Sequence, residues 1–592
     1  MSSSEDDDRV KSVRYEKDKG YLELDKTFPE EKYLWNEDFH PTPVKLRRWG
    51  SWTFFGIWFG MAIEVESWAL MSVGYSFGLN WFWSLMSVVI GNVIVLVPMI
   101  IQSHGGARYG VPETPLTRSR WGIYGNWIPS IIRGVIGAGW WGIDTWIIAE
   151  CVGAIYLVSS NQITTLYNAA STNAYPWVVA SVVPTLFWAT FLFTIAVRLI
   201  ILYYSPPKSG QRTLQIISWT VPFIGFLGFG ILFFSMMSVT NWQWNAIVSI
   251  PTTATGSAFW YALIGLINAN VAFWATMAIS MPDFTRYAKS QFSQTVGQLP
   301  LPLLMGGIGA LALVTTGASI VKFGVPIWDP VLLSALVISS QPLAYLTIIL
   351  LLLGVIVVNI FADTIGPGYD FANLYPKRIT WFMGVVIVVI IAALLQAWSY
   401  YASAQTYVEN WLLTYGAILG GVEGIITFDY AVIRRFKFEI YDLFYHKGRF
   451  RYFKGINPAA VIAFAISMVF VFPPSTYLPG SWLPSSMATG NGYTLLFPYQ
   501  DWVFQNAWIS AILMAGLVYL VLMAVWIIPK YQPELKGNLV KGYIADDTAT
   551  TFGIVRAGSP QSSTGTSSAS STPQVKAASV PDNKETERSH ST

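Results

Sequence analysis

Residues 51–75 read SWTFFGIWFGMAIEVESWALMSVGY, and this stretch decides the fold class. It is long enough for a helix to cross a bilayer, which takes about 20 mostly apolar residues. Near its centre two glycines, Gly56 and Gly60, precede two carboxylates, Glu64 and Glu66. An apolar segment interrupted in this way predicts a membrane helix that is broken where it faces a polar cavity.

Further apolar segments of similar length follow along the 592-residue chain. About twelve spans are predicted, at residues 51–75, 81–101, 129–156, 177–200, 214–237, 257–280, 301–321, 343–366, 379–397, 407–432, 457–473 and 507–528. Charged residues make up 12% of the chain, about half of the roughly 25% usual in soluble domains. The composition therefore excludes a soluble enzyme and predicts an all-α polytopic membrane protein.

Lysine and arginine are concentrated in alternate connections between the spans. The residues that form this pattern are Lys45, Arg47 and Arg48 before span 1, Arg108, Arg118 and Arg120 after span 2, Lys208 and Arg212 after span 4, Arg286 and Lys289 after span 6, Lys377 and Arg378 after span 8, Arg434, Arg435, Lys437, Lys447, Arg449, Arg451 and Lys454 after span 10, and Lys530 after span 12. The other connections carry essentially one such residue, Lys322. By the positive-inside rule, this predicts a multi-pass plasma membrane protein with both termini cytoplasmic.

The chain divides into five predicted segments. Residues 1–48 form a polar cytoplasmic tail, 49–240 a first repeat of five spans, 241–450 a second, inverted repeat, and 451–530 two further spans. Residues 531–592 form a second cytoplasmic tail, which is rich in Ser, Thr, Ala and Pro beyond about residue 557 and is expected to be largely disordered.

Several kinds of chemistry are excluded by what the sequence contains. A single cysteine, Cys151, and four scattered histidines give no metal-ligand spacing, and no phosphate-binding loop motif is present. The basic residues follow the topology, so they indicate no nucleic-acid partner. We expect no catalytic residues, cofactor or metal; the bilayer is the expected surrounding, and the oligomeric state stays open.

The carboxylates Glu64 and Glu66 lie inside predicted span 1, Asp144 inside span 3 and Asp363 inside span 8. A carboxylate at the bilayer centre costs roughly 2.5–3.5 kcal/mol on insertion scales, so such groups usually face a polar cavity. No strongly basic residue is expected at the same depth. Any one acid could instead be a protonated packing residue, but four together favour a shared cavity.

Spacing places several of these acids beside flat side chains. Residues four apart share a helix face, and the pairs with this spacing are Trp140 with Asp144, Glu64 with Trp68, Asn270 with Trp274, and Asn359 with Asp363. A tryptophan offers a stacking surface and a carboxylate accepts ring N–H groups. The pattern predicts a site for a flat, hydrogen-bonding small molecule.

Spans 1 and 6 begin the two predicted repeats, and both contain helix-breaking residues. Span 6 carries Gly265 and the polar run 268–270, and so matches the interruption in span 1. The segment at its end, Asp283–Arg286, is expected to join loops. Interrupted helices at corresponding positions of two inverted halves are typical of a secondary transporter with its site at the midplane.

Specific strings then resemble a known family. They are WFGMAIEVESWAL (58–70), GNVIVLVPMIIQSHGGARYGVP (91–112), RWGIYGNWIPSIIRGVIGAGWWGIDTWI (120–147), FWATMAISMPDFTRYAKSQFSQTVGQLP (273–300), GPGYDFANLYPKRIT (366–380), YGAILGGVEGIITFDYAVIRRFKFEIYDLF (415–444) and RYFKGINPAA (451–460). From about residue 45 to 475 the chain resembles the nucleobase:cation symporter-1 family, whose members carry nucleobases, hydantoins, allantoin and some vitamins. The resemblance implies the leucine-transporter-like fold, a five-plus-five inverted repeat with discontinuous helices 1 and 6.

The resemblance also implies roles for single residues. The substrate-binding positions that it suggests are Glu64, Trp140, Asp144, Phe273, Trp274 and Asp363. Trp140 and Trp274 match stacking rings, with Phe273 beside the second. Asp144 and Asp363 stand where relatives commonly have neutral amides or Glu, and Glu64 aligns with a Gln-type contact.

The coupling ion is predicted from two positions at which this chain differs from the family. Relatives that use sodium have Ser-Thr hydroxyls in span 8, whereas Val357 and Val358 stand here and supply no oxygen. The remaining candidates for ion coupling are Gly60, Ile63, Gly354, Glu64 and Asp144. Since buried carboxylates are the usual intramembrane proton carriers, we expect proton-coupled import of a small heterocycle by alternating access. The alternatives are a non-transporting sensor on the same scaffold, sodium-coupled symport of a cationic vitamin, and a membrane enzyme.

Overall fold

The computed structural model describes residues 38–162, 177–204, 207–438, 440–474 and 495–533, with positions 13–16, 21–24, 33, 34, 36, 164, 165 and 168. For residues 207–222 it describes the helix but not the side chains. Most of both predicted tails, including the segment expected to be disordered, therefore lies outside the described residues. Two strands, β1 (Val13–Glu16) and β2 (Tyr21–Leu24), pair antiparallel, with Val13 opposite Leu24.

Spans 1 to 6 are helical where the apolar segments predicted them. Span 1 consists of Ser51–Ala62 and Val65–Ser72, which runs on into a 3₁₀ turn at Val73–Phe77. The next spans are Trp81–Tyr109, Trp127–Ser159, Pro184–Tyr204, Pro207–Val239 and Gly256–Thr285. Short helices at Glu113–Trp121, Trp177–Val182 and Trp244–Val248 lie in the connections, and a 3₁₀ turn at Val44–Leu46 precedes span 1.

Spans 7 to 12 complete the helical body. Their helices are Leu301–Phe323, Gln341–Val358 with Ile365–Leu374, Trp381–Leu395, Thr414–Phe428, Pro458–Val471, and Ala507–Leu522 with Ile528–Tyr531. π-helical segments occur at Asn359–Thr364, Thr406–Leu413, Asp429–Ile433 and Met523–Ile527. The connecting helices are Gln291–Gln298, Pro330–Val337 and Gln500–Gln505, with 3₁₀ turns at Ala397–Ala402, Tyr441–Phe444 and Arg449–Arg451.

The helices are long and apolar enough for a membrane protein. In the described part of the chain, eight could cross a bilayer by length and composition, and the bent pair of span 1 makes nine. Among the described residues, three shorter apolar helices lie in spans 5, 9 and 11. Side chains such as Leu192, Phe193 and Leu394 are 64–78% exposed, which in water would leave large apolar patches. The chain is an integral, multi-pass membrane protein.

Span 1 is broken, as the sequence predicted. Its two helices meet at 63°, and Ile63 and Glu64 lie between them. Glu64 has an extended backbone, and its carbonyl accepts a hydrogen bond from the Trp68 N–H at 3.1 Å. The break therefore places a carboxylate at the start of the second half-helix.

The predicted break in span 6 is wrong. Span 6 is one continuous helix from Gly256 to Thr285. Its polar residues do not interrupt it because their amides bond to the helix itself: Asn268 donates to the Ile264 carbonyl at 3.1 Å and Asn270 to the Leu266 carbonyl at 2.9 Å. An irregular helix does line the cavity region in span 8, where a π segment carries Asn359 and Asp363.

Small residues let the spans approach closely. A β-carbon on Gly91 of span 2 would lie 2.7 Å from the Ile267 carbonyl oxygen of span 6. One on Gly424 of span 10 would clash with the Ile512 carbonyl oxygen of span 12. Close backbone contact of this kind is how helices pack in lipid, where no hydrophobic driving force brings them together.

Candidate functional site

One cavity brings all six predicted substrate-binding residues together. Glu64, Trp140, Asp144, Phe273, Trp274 and Asp363 line it, together with Met61, Thr276, Met277, Val358 and Ala362. About 350 Å³ in and around it is not filled by protein atoms, a volume that includes space open to solvent. Its walls come from spans 1, 3, 6 and 8.

Trp140 is held in place by other aromatic rings. Phe273, Tyr407, Trp411 and Tyr415 lie 5.4–6.2 Å from it, centroid to centroid, with interplanar angles of 72–89°. Edge-to-face packing of this kind fixes the orientation of the indole. Trp140 is 5% exposed, so a ligand in the cavity would meet a rigid stacking surface.

Trp274 is the second tryptophan that lines the cavity, and it lies on span 6. It packs against Trp58 of span 1 at 5.4 Å and against Phe273 at 5.2 Å, in both cases nearly perpendicular. It is 2% exposed. The two tryptophans that the sequence predicted as stacking rings thus lie on the same cavity, on different spans.

The carboxyl groups form a cluster around Asp144. Glu66 and Asp363 lie within hydrogen-bonding reach of it, and Glu64 interacts with it electrostatically. The Ser67 hydroxyl donates to Glu64 Oε1 at 3.1 Å. Glu66 is fully buried, and no hydrogen bond from a described residue is donated to either of its side-chain oxygens.

The prediction that no basic residue lies at this depth is wrong. Arg198 of span 4 is 2% exposed and its guanidinium lies 4.0 Å from the centroid of the Trp141 ring. It reaches Asp144 through an amide, because Arg198 Nη1 donates to Asn359 Oδ1 at 2.7 Å and Asn359 Nδ2 donates to Asp144 Oδ2 at 2.9 Å. Sequence reasoning missed it although a lone arginine inside an apolar span was a visible signal.

A second buried arginine lies beyond the cavity lining. Arg133 of span 3 pairs with Asp370 of span 8, and its Nη2 is 3.9 Å from Asp283 Oδ2 of span 6. Its Nε donates to the carbonyl of Thr276, a cavity-lining residue, at 3.3 Å. These contacts join spans 3, 6 and 8 on one side of the cavity.

The Asp283–Arg286 segment joins loops, as the sequence predicted. Asp283 Oδ1 accepts a hydrogen bond from the Glu113 N–H at 2.9 Å. Arg286 donates to Thr42 Oγ1 and to the carbonyls of Asp38 and His40 at 2.6–2.8 Å. Part of the predicted N-terminal tail is therefore packed against the end of span 6.

The spacing predictions held only in part. Trp140 and Asp144 do share the cavity. Trp68 does not, because it stacks on Phe229 of span 5 at 4.5 Å with an interplanar angle of 12°. Glu64 has an extended backbone at the break, so the four-residue spacing does not put its side chain on the helix face of Trp68.

The residues suggested for ion coupling lie near one another. Glu64 and Asp144 line the cavity, and Gly60 is buried in the first half of span 1. Gly354 of span 8 approaches the break, since a β-carbon there would lie 3.4 Å from the Ile63 carbonyl oxygen. Val358 presents an apolar side chain to the cavity. Among the described residues, no group of three or more His, Cys, Asp or Glu could hold a metal ion.

Comparisons with known proteins agree with this architecture. A family profile described as a permease for cytosine/purines, uracil, thiamine and allantoin matches residues 41–495. A purine-uracil permease of Arabidopsis thaliana is 30% identical over 83% of this chain and 78% of its own length. An allantoin permease of Bacillus subtilis is 27% identical over 76% of this chain and 90% of its own.

Solved structures show the same fold. Mhp1, a nucleobase-cation-symport-1 family transporter in a closed conformation with bromovinylhydantoin bound, superposes with a TM-score of 0.65. The alignment covers 88% of this chain and all of that one, at 19% sequence identity. An inward-facing conformation of Mhp1 gives a TM-score of 0.64. The likeness establishes the leucine-transporter-like fold that the sequence predicted.

Proposed function

The chain belongs to the family of permeases for cytosine/purines, uracil, thiamine and allantoin, and from this membership we propose that it imports a nucleobase or related small heterocycle by proton-coupled alternating access. The observation that carries the proposal is the cavity between Trp140 and Trp274, where two stacking rings and three carboxyl groups surround one small volume. A flat ring with N–H and C=O groups fits both kinds of contact.

Proton coupling is supported by the kinds of side chain that surround the cavity. Val357 and Val358 offer no side-chain oxygen, whereas a sodium ion needs several oxygen ligands. Glu64, Glu66 and Asp363 cluster with Asp144, and a proton shared within such a cluster can bind and leave with the substrate. Uptake of the proton on one of these acids would favour the loaded state.

Reconstituted vesicles test the function and the coupling together. Uptake of radiolabelled uracil, hypoxanthine and allantoin is measured with an inwardly directed proton gradient, with sodium present or replaced by choline. We expect uptake of at least one compound to require the proton gradient and to ignore sodium. Strict sodium dependence without a response to pH would refute the coupling, and absence of uptake with retained binding would favour a sensor.

The orientation is proposed from the arginine and lysine pattern. Both termini are placed in the cytoplasm of a cell whose plasma membrane holds the protein, because the basic connections lie on the side of the tails. An epitope tag at each end should be stained only after the cells are permeabilised. Staining of either tag on intact cells would reverse the assignment for that end.

A further inference from the structure

Arg198 is held by several hydrogen bonds rather than by an ion pair. Its Nη1 donates to Asn359 Oδ1 at 2.7 Å, its Nη2 to Thr145 Oγ1 at 2.6 Å, and its Nε to the Thr194 carbonyl at 3.2 Å. Among the described residues, no carboxylate oxygen lies within 4 Å of its guanidinium nitrogens. The arginine thus joins spans 3, 4 and 8.

The chemistry of the guanidinium fixes the direction of these bonds. An arginine side chain has only donors, so the amide oxygen of Asn359 must face it and the amide nitrogen must face away. That nitrogen then donates to Asp144 Oδ2 at 2.9 Å. If Arg198 could also accept, the amide would be free to flip.

The hydrogen bond between Arg198 and Thr145 also runs in one direction only, from the guanidinium to the hydroxyl oxygen. Because its Oγ1 accepts from Arg198, its hydroxyl proton must go elsewhere, and it is donated to the Trp141 carbonyl at 2.7 Å. A second hydroxyl fixes the backbone of the other partner, since Thr364 Oγ1 donates to the Asn359 carbonyl at 2.8 Å. Both hydrogen-bond partners of Arg198, Asn359 and Thr145, therefore have a fixed orientation.

We propose that Arg198 is a positioning residue which, through Asn359, keeps Asp144 a hydrogen-bond acceptor and so restricts transport to heterocycles that present an N–H donor to span 3. The inference rests on the proposed function, because it names the chemistry that the same cavity selects. A site whose acceptor is a buried carboxylate discriminates against an analogue that lacks the donor, since the hydrogen bond between ligand and acceptor is then lost.

The test compares each heterocycle with its N-methylated form. Binding of uracil, hypoxanthine and their separate mono-N-methyl derivatives is measured by competition on purified protein. In the wild type we expect at least one methylation to weaken binding tenfold or more. In Arg198→Gln, whose amide can donate or accept, that ratio should fall to threefold or less, while Arg198→Lys, a donor only, should keep most of it.

A matched control removes another buried arginine. Arg118 donates to the Leu443 carbonyl and to Asn373 Oδ1, outside the cavity lining. Arg118→Gln should lower stability without changing the methylation ratio. A role of Arg198 that is merely structural would make the two variants behave alike, and that result would overturn the proposal.

A further variant covers the case in which Arg198→Gln does not fold. Asn359→Asp keeps a partner for Arg198 but supplies no donor to Asp144, so the methylation ratio should fall there too. An unchanged ratio in the folded variants contradicts this inference alone. If no heterocycle binds or is taken up by the wild type, the proposed function itself fails, and this inference fails with it.

Discussion

Trp140 shows how a single side chain is prepared for binding. Its ring is enclosed by Phe273, Tyr407, Trp411 and Tyr415, so it needs no rearrangement to stack on a flat ligand. Asp144 lies one helical turn further along the same face. A ligand stacked on the indole would therefore lie beside a carboxylate, which makes the two residues one recognition unit.

Replacing Trp140 by alanine should weaken binding while the protein still folds. Stacking between aromatic rings is worth about 0.5–1.5 kcal/mol beyond the area it buries, so we expect a loss of roughly twofold to more than tenfold in affinity for the transported heterocycle, measured by competition. Trp140→Phe should recover part of it. Trp146→Phe is the control, since Trp146 stacks on Trp398 and not on the cavity. Wild-type affinity in folded Trp140→Ala would place the site elsewhere.

At the scale of elements, two irregular segments carry carboxyl groups of the cavity, Glu64 in span 1 and Asp363 in span 8. Span 1 breaks at Glu64, and span 8 becomes π-helical from Asn359 to Thr364. Both distortions turn backbone out of regular register, and π segments are frequent at functional sites for that reason. The short helix Pro330–Val337, between spans 7 and 8, is instead regular and begins with a side-chain cap from Asp329.

Asp329 should make stability depend on pH. Burial raises the pKa of Asp329 from 3.8 to about 6, although the hydrogen bond that its Oδ1 accepts from the Leu332 N–H at 2.8 Å opposes the shift. Since the folded protein then takes up a proton that the unfolded chain releases, the free energy of unfolding falls as pH rises from about 4 to 6. Asn is an equally good cap, so Asp329→Asn should lose this dependence only.

The comparison is made by thermal unfolding at several pH values. Relative to the wild type, Asp329→Asn should gain stability between pH 4 and 6, by up to about 3 kcal/mol at roughly 1.4 kcal/mol per pKa unit, and the gain should level off above pH 7. A difference that stays constant across this range would show that the carboxyl group does not titrate as described.

At the scale of the whole molecule, the segment before span 1 links distant spans. Arg286 at the end of span 6 holds Asp38, His40 and Thr42, and Asp38 Oδ2 accepts from the Trp381 N–H of span 9 at 3.4 Å. The segment thus bridges the ends of spans 6 and 9. A bridge of this kind must loosen whenever these helix ends separate.

Removing Arg286 should therefore free the segment. In Arg286→Ala we expect faster hydrogen exchange of the backbone amides at residues 38–47, because three hydrogen bonds that hold the segment are lost. Arg48→Ala is the control, since Arg48 is exposed and donates within its own turn, to the Lys45 carbonyl. Equal protection of residues 38–47 in both variants would show that other contacts hold the segment.

The sequence by itself determined the membrane-spanning helices, the break in span 1 and six of the residues that line the cavity. Apolar segments of about 20 residues form helices in lipid because every backbone group must be hydrogen-bonded internally. Carboxylates inside such segments must face a polar volume, so Glu64, Asp144 and Asp363 could be assigned to it from their positions in the sequence alone. The aromatic positions, Trp140 and Trp274, followed from the family resemblance.

Only the tertiary structure decided which polar residues interrupt a helix and which charges balance one another. Asn268 and Asn270 looked like a break but bond to their own helix, whereas the distortion of span 8 has no such pattern in sequence. Arg198 is 54 residues from Asp144 along the chain, and an asparagine of a third span joins them. Contacts between residues far apart in sequence depend on how the helices are arranged in three dimensions, which no local pattern encodes.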